Sequence, residues 1–506
     1  IRILGDSFSE DPPNMESQWK SKGGRNYPDN TMRGREEYNT ILTRCLLLIF
    51  LSLSGCTTIS FDDKTPLKIN NNLPPSSEKS SFHLMIVPRV TNVFMPTSVA
   101  TGKFDEGPIM DFAITTQGDI TYSDENEKAG SVTIVYGEDI GKGTFLTPVE
   151  FPGGRSVAFS QTADLNLDGW EDIVIVSTNA REINVKPWRD EKEIFQQNEI
   201  NLNQFTNDLG RIPPGRITVL LNDGYGNFRI HNSFSPVLGF PFKIVIGDFN
   251  QDNFPDILCG NLNEDSSSVE IFWGKGDGNL SPIPYKVGGF KNQSVSMGHF
   301  DNDDTLDGVV LSADGRENSQ AKLTFLLSNG DKSFTNHVLP LGTITPLSIT
   351  TGDFNGDKKD DVIIRGEKKI SILLSDGEGN FDPIEPFSIK DDIFIEAVEQ
   401  SPLRMGTIGH IQTGDFDLDG KLDILINNSL FQGLSILYGN GEDGFLHRQN
   451  LNVGTYSPKA WFGIPDATDF NGDGLLDVIV PGFYYEEEEF QIQETKGRLF
   501  IFQNMN

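Results

Sequence analysis

A recurring acidic loop, short Val/Ile-rich runs on either side of it, and a glycine turn that closes each unit predict an all-β chain. The architecture they predict is a seven-bladed β-propeller of four-stranded antiparallel blades. The loop occurs six times: ADLNLDGWED from Ala163, GDFNQDNFPD from Gly247, GHFDNDDTLD from Gly298, GDFNGDKKDD from Gly352, GDFDLDGKLD from Gly414 and TDFNGDGLLD from Thr468. A seventh, worn copy, GKFDEGPIMD, starts at Gly102.

Each unit has the same grammar. A short apolar run precedes the loop (FKIVIG, PLSITTG) and another follows it (DIVIV at 172, DILCG at 256, DVIIR at 361, DILIN at 423, DVIVP at 477). After a variable stretch comes a third run (ITVLL, VEIFWG, LTFLLS, ISILLS, LSILYG, RLFIF). A glycine turn then ends in an aromatic residue or Leu, as in GYGNF at 224, GDGNL at 276 and GEGNF at 377. Runs of four to eight β-branched residues punctuated by Gly and Asp are strands and turns rather than helices. Seven loops face only six glycine turns, because the chain stops just after RLFIFQN. The last unit therefore lacks a fourth strand, and FHLMIVPRV at 82–90 precedes the first unit without a partner. Pairing these two segments closes the ring and leaves no open sheet edge.

Counting the first acid of each loop as position one, acids and amides fall at positions one, three, five and nine. The five sets are Asp164, Asn166, Asp168 and Asp172; Asp248, Asn250, Asp252 and Asp256; Asp353, Asn355, Asp357 and Asp361; Asp415, Asp417, Asp419 and Asp423; and Asp469, Asn471, Asp473 and Asp477. Alternate residues of a tight loop turn their oxygens inward, and oxygen-only donors suit a hard cation such as Ca²⁺. Position seven (Trp170, Phe254, Lys359, Lys421, Leu475) offers its backbone carbonyl, and Gly169, Gly420 and Gly474 ease the reversal after position five. The loop opens like an EF-hand but has neither the glutamate at position twelve nor flanking helices.

On these motifs the chain resembles the FG-GAP/VCBS repeat family, whose best-known member is the integrin α-subunit propeller. The resemblance covers residues 82–506 and implies Ca²⁺ bound at one rim through positions one, three, five, seven and nine. About five sites are expected, with a structural role. Two copies depart from the pattern. The fourth has His299 at position one and keeps Asp301, Asp303 and Asp307, so a weak or empty site is expected. The first has Lys103 at position one and Gly107 at five; no metal is expected, with Lys103 supplying its own cation to Asp105 and Asp111.

The formal net charge is -32, from 73 acidic and 41 basic residues, which excludes nucleic acid as a partner because its binders need a basic face. Three cysteines give no disulfide or zinc framework, and Cys259 in DILCG is a buried apolar residue. Arg33, Arg35 and Arg44 precede an apolar stretch, Cys45 to Leu53, that is too short for the roughly 20 residues a membrane span needs. It has the layout of a secretory signal. Leu53-Ser54-Gly55-Cys56 resembles the bacterial lipoprotein box, which implies lipidation at Cys56 and, with Thr57 next, an outer-membrane destination. The expected organisation is an upstream extension at 1–31, a signal at 32–55, a polar tether at 56–81 and the propeller at 82–506. A flexible tether of that length spans about 25–30 Å.

The connections from second to third strand are long and variable (116–130, 180–215, 261–268, 313–321, 483–496), and they leave each blade opposite the acidic loops. The stretch 391–410 reaches the same face. Insertions on one face of a repeat fold mark its binding face, and Trp188, Phe195, Phe483, Tyr484 and Tyr485 are the candidate contact aromatics. There is no HExxH or GxSxG, and the GxGxxG of Gly439, Gly441 and Gly444 ends a strand rather than opening a helix. The expected function is binding of a polysaccharide or protein at the bacterial cell envelope, by a monomer without catalytic residues. The alternative is a polysaccharide-acting enzyme with its site on the long-loop face.

Overall fold

The computed structural model describes residues 82–91, 96–116, 130–139, 144–145, 148–179, 215–234, 240–262, 268–287, 291–313, 321–342, 346–366, 369–383, 387–388, 410–428, 433–442, 444–451, 460–484 and 497–505. All of them fall in one contact unit, Leu67–Pro402 with Gly406–Asn506. Residues 1–81, with Cys56, lie outside the described residues, as do Trp188, Phe195 and Tyr485. Among the described residues every regular element is a strand, and no helix is long and apolar enough to cross a membrane.

Blades 3, 4 and 6 are four-stranded antiparallel meanders. In blade 3 the strands are Phe240–Gly247, Asp256–Leu262, Ser268–Gly274 and Leu280–Lys286, and the acidic loop joins the first to the second. The first strands of successive blades touch one another all the way round and so form the inner ring. Both faces of a blade are covered by its neighbours, and therefore the inner strands are apolar throughout instead of alternating. Asp111–Thr116 and Gly130–Val135 are buried at every position, whereas the outermost strand Phe334–Gly342 is mostly half-buried or exposed.

The hydrophobic core is divided among the blade interfaces. Among the described residues seven apolar clusters occur, one between each pair of adjacent blades. The cluster between blades 7 and 1, with Phe112, Ile114, Phe470 and Ile501, has the same character as the rest, so the ring closes at seven. Covalent order is interrupted there, and hydrogen bonds take over. Phe82–Thr91 pairs with Gly497–Asn504 from Phe82 opposite Asn504 to Val87 opposite Leu499, supplying the fourth strand of blade 7 as expected.

Three irregularities were not legible in the repeat. Val149–Ala163 is one continuous strand that serves as the fourth strand of blade 1 and the first of blade 2, merging the two blades into one seven-stranded sheet. The outer strand of blade 5 is split into Phe381–Pro383 and Phe387–Ser388. The first strand of blade 7 is split into Ala460–Phe462 and Asp466–Thr468. Between these last halves Ile464 leaves its own sheet and bonds blade 1: its N–H donates to Thr97 O at 2.7 Å, and its carbonyl accepts Val99 N–H at 3.2 Å. A Cβ on Gly463 would lie 2.6 Å from Thr97 O, so this second seam across the closure requires glycine.

Candidate metal centres

The position-nine aspartate is the constant of all seven loops. Asp111, Asp172, Asp256, Asp307, Asp361, Asp423 and Asp477 are each at most 1% exposed. One carboxylate oxygen accepts the backbone N–H of position two in the same loop; the other accepts an N–H at the end of the third strand. In blade 5 these are Phe354 N at 3.0 Å and Ser375 N at 2.9 Å; in blade 2 they are Leu165 N at 3.0 Å and Asn222 N at 2.9 Å. The carboxylate therefore latches the loop to its own sheet. Position two itself (Phe104, Leu165, Phe249, Phe300, Phe354, Phe416, Phe470) is a buried apolar plug, at most 5% exposed. In five blades its carbonyl accepts a hydrogen bond from the following blade, as Phe249 O does from Ser328 Oγ and Phe416 O from Asn504 Nδ2.

Burial raises each latch above the usual carboxylate range, to about 6 for Asp256, Asp307 and Asp361 and about 7 for Asp172, Asp423 and Asp477. The two N–H donors pull the other way, while neighbouring loop acids add to the rise. A site that buries one carboxylate beside several others is short of positive charge.

Five loops share a backbone that presents those other acids. Position four is left-handed in each (Leu167, Gln251, Gly356, Leu418, Gly472), and so is position six (Gly169, Asn253, Lys358, Gly420, Gly474). A left-handed Leu or Lys is strained by about 1 kcal/mol or more, and such strain persists only where surrounding contacts hold it. The contact that holds it is position one. Asp164, Asp248, Asp353, Asp415 and Asp469 each accept the N–H groups of positions five and six, at 2.7–3.2 Å. Asn166, Asn355 and Asn471 at position three sit beside Asp168, Asp357 and Asp473, donating Nδ2–H to the carboxylate at 2.8–3.2 Å. Asn250 instead reaches Asp256, at 2.8 Å. In the sixth loop Asp415, Asp417 and Asp419 place carboxylate oxygens within 4.8 Å of one another. Every donor is a hard oxygen, which fits Ca²⁺.

The two divergent loops lack the left-handed pair. In the fourth, Asp301, Asp303 and Asp307 still converge within 4.8 Å, but the His299 ring meets Thr305 O, the position-seven carbonyl, at 2.8 Å. In the first, Lys103 forms no ion pair with Asp105 or Asp111 among the described residues. Its side chain is exposed, Asp111 is filled by Phe104 N and Gly137 N, and Asp105 accepts Gly107 N. Both loops are tied instead by an acid of the next blade: Lys103 N donates to Glu171 at 2.8 Å and His299 N to Asp360 at 2.7 Å.

Position seven also has a use beyond its carbonyl. Its backbone N–H donates to position five in the five intact loops, and in blades 2, 3, 5 and 6 its side chain lies across the glycine turn of the same blade. A Cβ on Gly224 would fall 2.4 Å from the Trp170 indole, and one on Gly276 would fall 2.5 Å from the Phe254 ring. The glycine turns and the acidic loops therefore form one packed rim. On the opposite face, Phe483 and Tyr484 prolong the second strand of blade 7, pairing with Trp461 and Ala460, so the loop starts two residues later than the sequence suggests.

Comparison with known proteins agrees with this geometry. A family model described as FG-GAP-like repeat matches four overlapping segments, 248–310, 299–364, 353–426 and 415–480. Human integrin alpha-6 is 24% identical over 257 residues, which cover 48% of this chain and 19% of the relative; the match thus spans about a fifth of that protein's length. A lectin from Agrocybe aegerita, described as recognising non-reducing terminal N-acetylglucosamine, is 14% identical at a TM-score of 0.40 over 73% of this chain and 94% of the lectin; likeness at that level carries no argument. Residues 248–480 match four FG-GAP-like repeats, in register with four of the acidic loops described above.

Proposed function

We propose that this chain is a calcium-stabilised binding propeller of the bacterial cell envelope, anchored by a lipid at Cys56 and recognising a polysaccharide or protein partner as a monomer. The observation that carries the calcium reading is the common backbone of five loops, in which left-handed residues at positions four and six hold oxygen donors around a buried carboxylate. Asp, Asn and the position-seven carbonyl would hold the ion, and the ion would supply the positive charge that the buried latch lacks. Its role is to stabilise, since a site closed by protein oxygens leaves little room for substrate.

Partner binding falls to the opposite face, and the candidate contacts named from the sequence are Trp188, Phe195, Phe483, Tyr484 and Tyr485. A screen of glycans and envelope proteins, run with calcium and with chelator, tests this. A ligand captured in calcium and lost on substitution of Trp188 or Tyr484 supports the reading, and no ligand in either condition removes it. Metabolic labelling with a fatty acid, lost in Cys56→Ala, tests the anchor separately.

A further inference from the structure

The two oxygens of the position-five carboxylate have different partners in the five intact loops. Oδ1 accepts the N–H of position seven in all of them, at 2.9–3.1 Å. Oδ2 divides the loops. In blades 2, 5 and 7 it accepts the amide of position three, from Asn166, Asn355 and Asn471, at 2.8–3.2 Å. In blades 3 and 6 it faces a lysine ammonium. Lys421, at position seven of the sixth loop, lies 3.5 Å from Asp419 Oδ2. Lys332 comes from the glycine turn of the next blade and lies 3.3 Å from Asp252 Oδ2.

The fold sets Lys332 in that place. Its turn is closed by Asn329 N–H donating to Ser333 O at 3.0 Å. The lysine backbone is left-handed (φ 68°), a costly conformation for a side chain of this kind. Its ammonium stands 5.4 Å from the ring centre of buried Trp273, and Phe334 stacks on the same indole at 6.0 Å. Within the third loop Asn250 donates to the latch Asp256 instead of to position five, which leaves Asp252 to the lysine. A lysine in the loop is not sufficient for this arrangement. Lys359 shares position seven with Lys421, but its Nζ donates to Asp376 O in the glycine turn, and Asp357 keeps Asn355.

We propose that Lys332 and Lys421 are built-in competitors for calcium, so that the five sites fall into two classes. The inference rests on the calcium reading of these loops. The amide-backed sites of blades 2, 5 and 7 fill first, and the lysine-guarded sites of blades 3 and 6 need more calcium. An asparagine beside position five turns about its last torsion and offers its carbonyl oxygen, a calcium donor. An ammonium offers no lone pair; it must leave the carboxylate or stay as a like charge beside a dication. Both partners of the Lys332 pair reach solvent, and exposed pairs are weak. Such a pair raises the calcium needed without closing the site. In blade 3 the competitor belongs to blade 4, so filling that site also releases a contact between the two blades.

The test counts calcium ions per full chain against buffered free calcium, with thermal unfolding in calcium and in chelator. The wild type should take up three ions first and two more at about tenfold higher free calcium. Lys332→Gln should move one ion into the early group, Lys332→Gln with Lys421→Gln should move both, and Lys359→Gln should move none. Lys421→Gln alone should move one, so a misfolded Lys332→Gln would not end the test. A lysine that only rivets blade 4 to blade 3 predicts otherwise: Lys332→Gln would lower the Tm equally in calcium and in chelator and leave the titration unchanged. That result, or a single class of five sites in the wild type, overturns the proposal. An absence of bound ions in every variant would instead remove the calcium reading itself, and this proposal with it.

Discussion

Within each acidic loop, two sets of carboxylates lie a few residues apart and follow different rules. The inner one, at position nine, is buried and bonded to two backbone N–H groups in all seven blades. The outer ones, at one, three and five, keep their shared backbone in only five. Where that backbone is lost, in blades 1 and 4, the latch is unaltered and an acid from the next blade ties the loop down. The difference teaches that the loop has two separable parts: a backbone latch that every blade requires, and an ion face that a blade can do without.

The largest effect should come from breaking a latch. Asp361→Ala leaves the buried N–H groups of Phe354 and Ser375 without acceptors, each costing about 1–3 kcal/mol. Denaturant titration should show a loss of about 3–5 kcal/mol that added calcium does not restore. A loss below 1 kcal/mol would erase the distinction between inner and outer acids. Next comes removal of the ion: chelation should lower the Tm by several degrees, with the shift depending on free calcium as ligand linkage requires. An unchanged Tm would end the proposed calcium role.

Smaller effects sharpen the contrast. Asp357→Asn should remove one bound calcium while shifting the chelated protein's stability by about 1 kcal/mol or less, since Asp357 is exposed. In the fourth loop, His299→Asp alone should add little, because the left-handed positions are missing; His299→Asp with Asp304→Gly should add one ion. Gain of a full site by the single variant would show that backbone conformation is not what selects the five loops. A separate, pH-dependent effect belongs to Asp111, in the first loop, which lacks the left-handed pair. Burial raises its folded value from 3.8 to about 6. A raised carboxylate stabilises the fold below about pH 4, and that contribution disappears as the pH rises through about 6. The Tm difference between wild type and Asp111→Asn should therefore fall from pH 4 to 7 in the wild type's disfavour; a flat difference contradicts the burial.

Much of this was legible in the sequence because the repeat repeats its physics. The blade count, the closing strand at 82–90 and the five-against-two division of the loops all follow from residues in fixed register. What escaped the sequence depends on backbone groups and backbone conformation. The latch could not be seen because its partners are backbone N–H groups, which carry no residue signature. Leu167 and Leu418 gave no sign of left-handed conformation, since glycine is the usual marker and only Gly356 and Gly472 supplied it at position four. Lys103 invited an ion pair by proximity in sequence, but Asp111 was already filled by two N–H groups. The merged strand Val149–Ala163 lacks the break that separates the other blades.

The measurement that bears most directly on the account is the number of calcium ions held per chain, by equilibrium dialysis or native mass spectrometry. The account predicts five for the wild type and four for Asp357→Asn, with both proteins keeping the same fold. No bound calcium, or six or seven ions with blades 1 and 4 included, would contradict it.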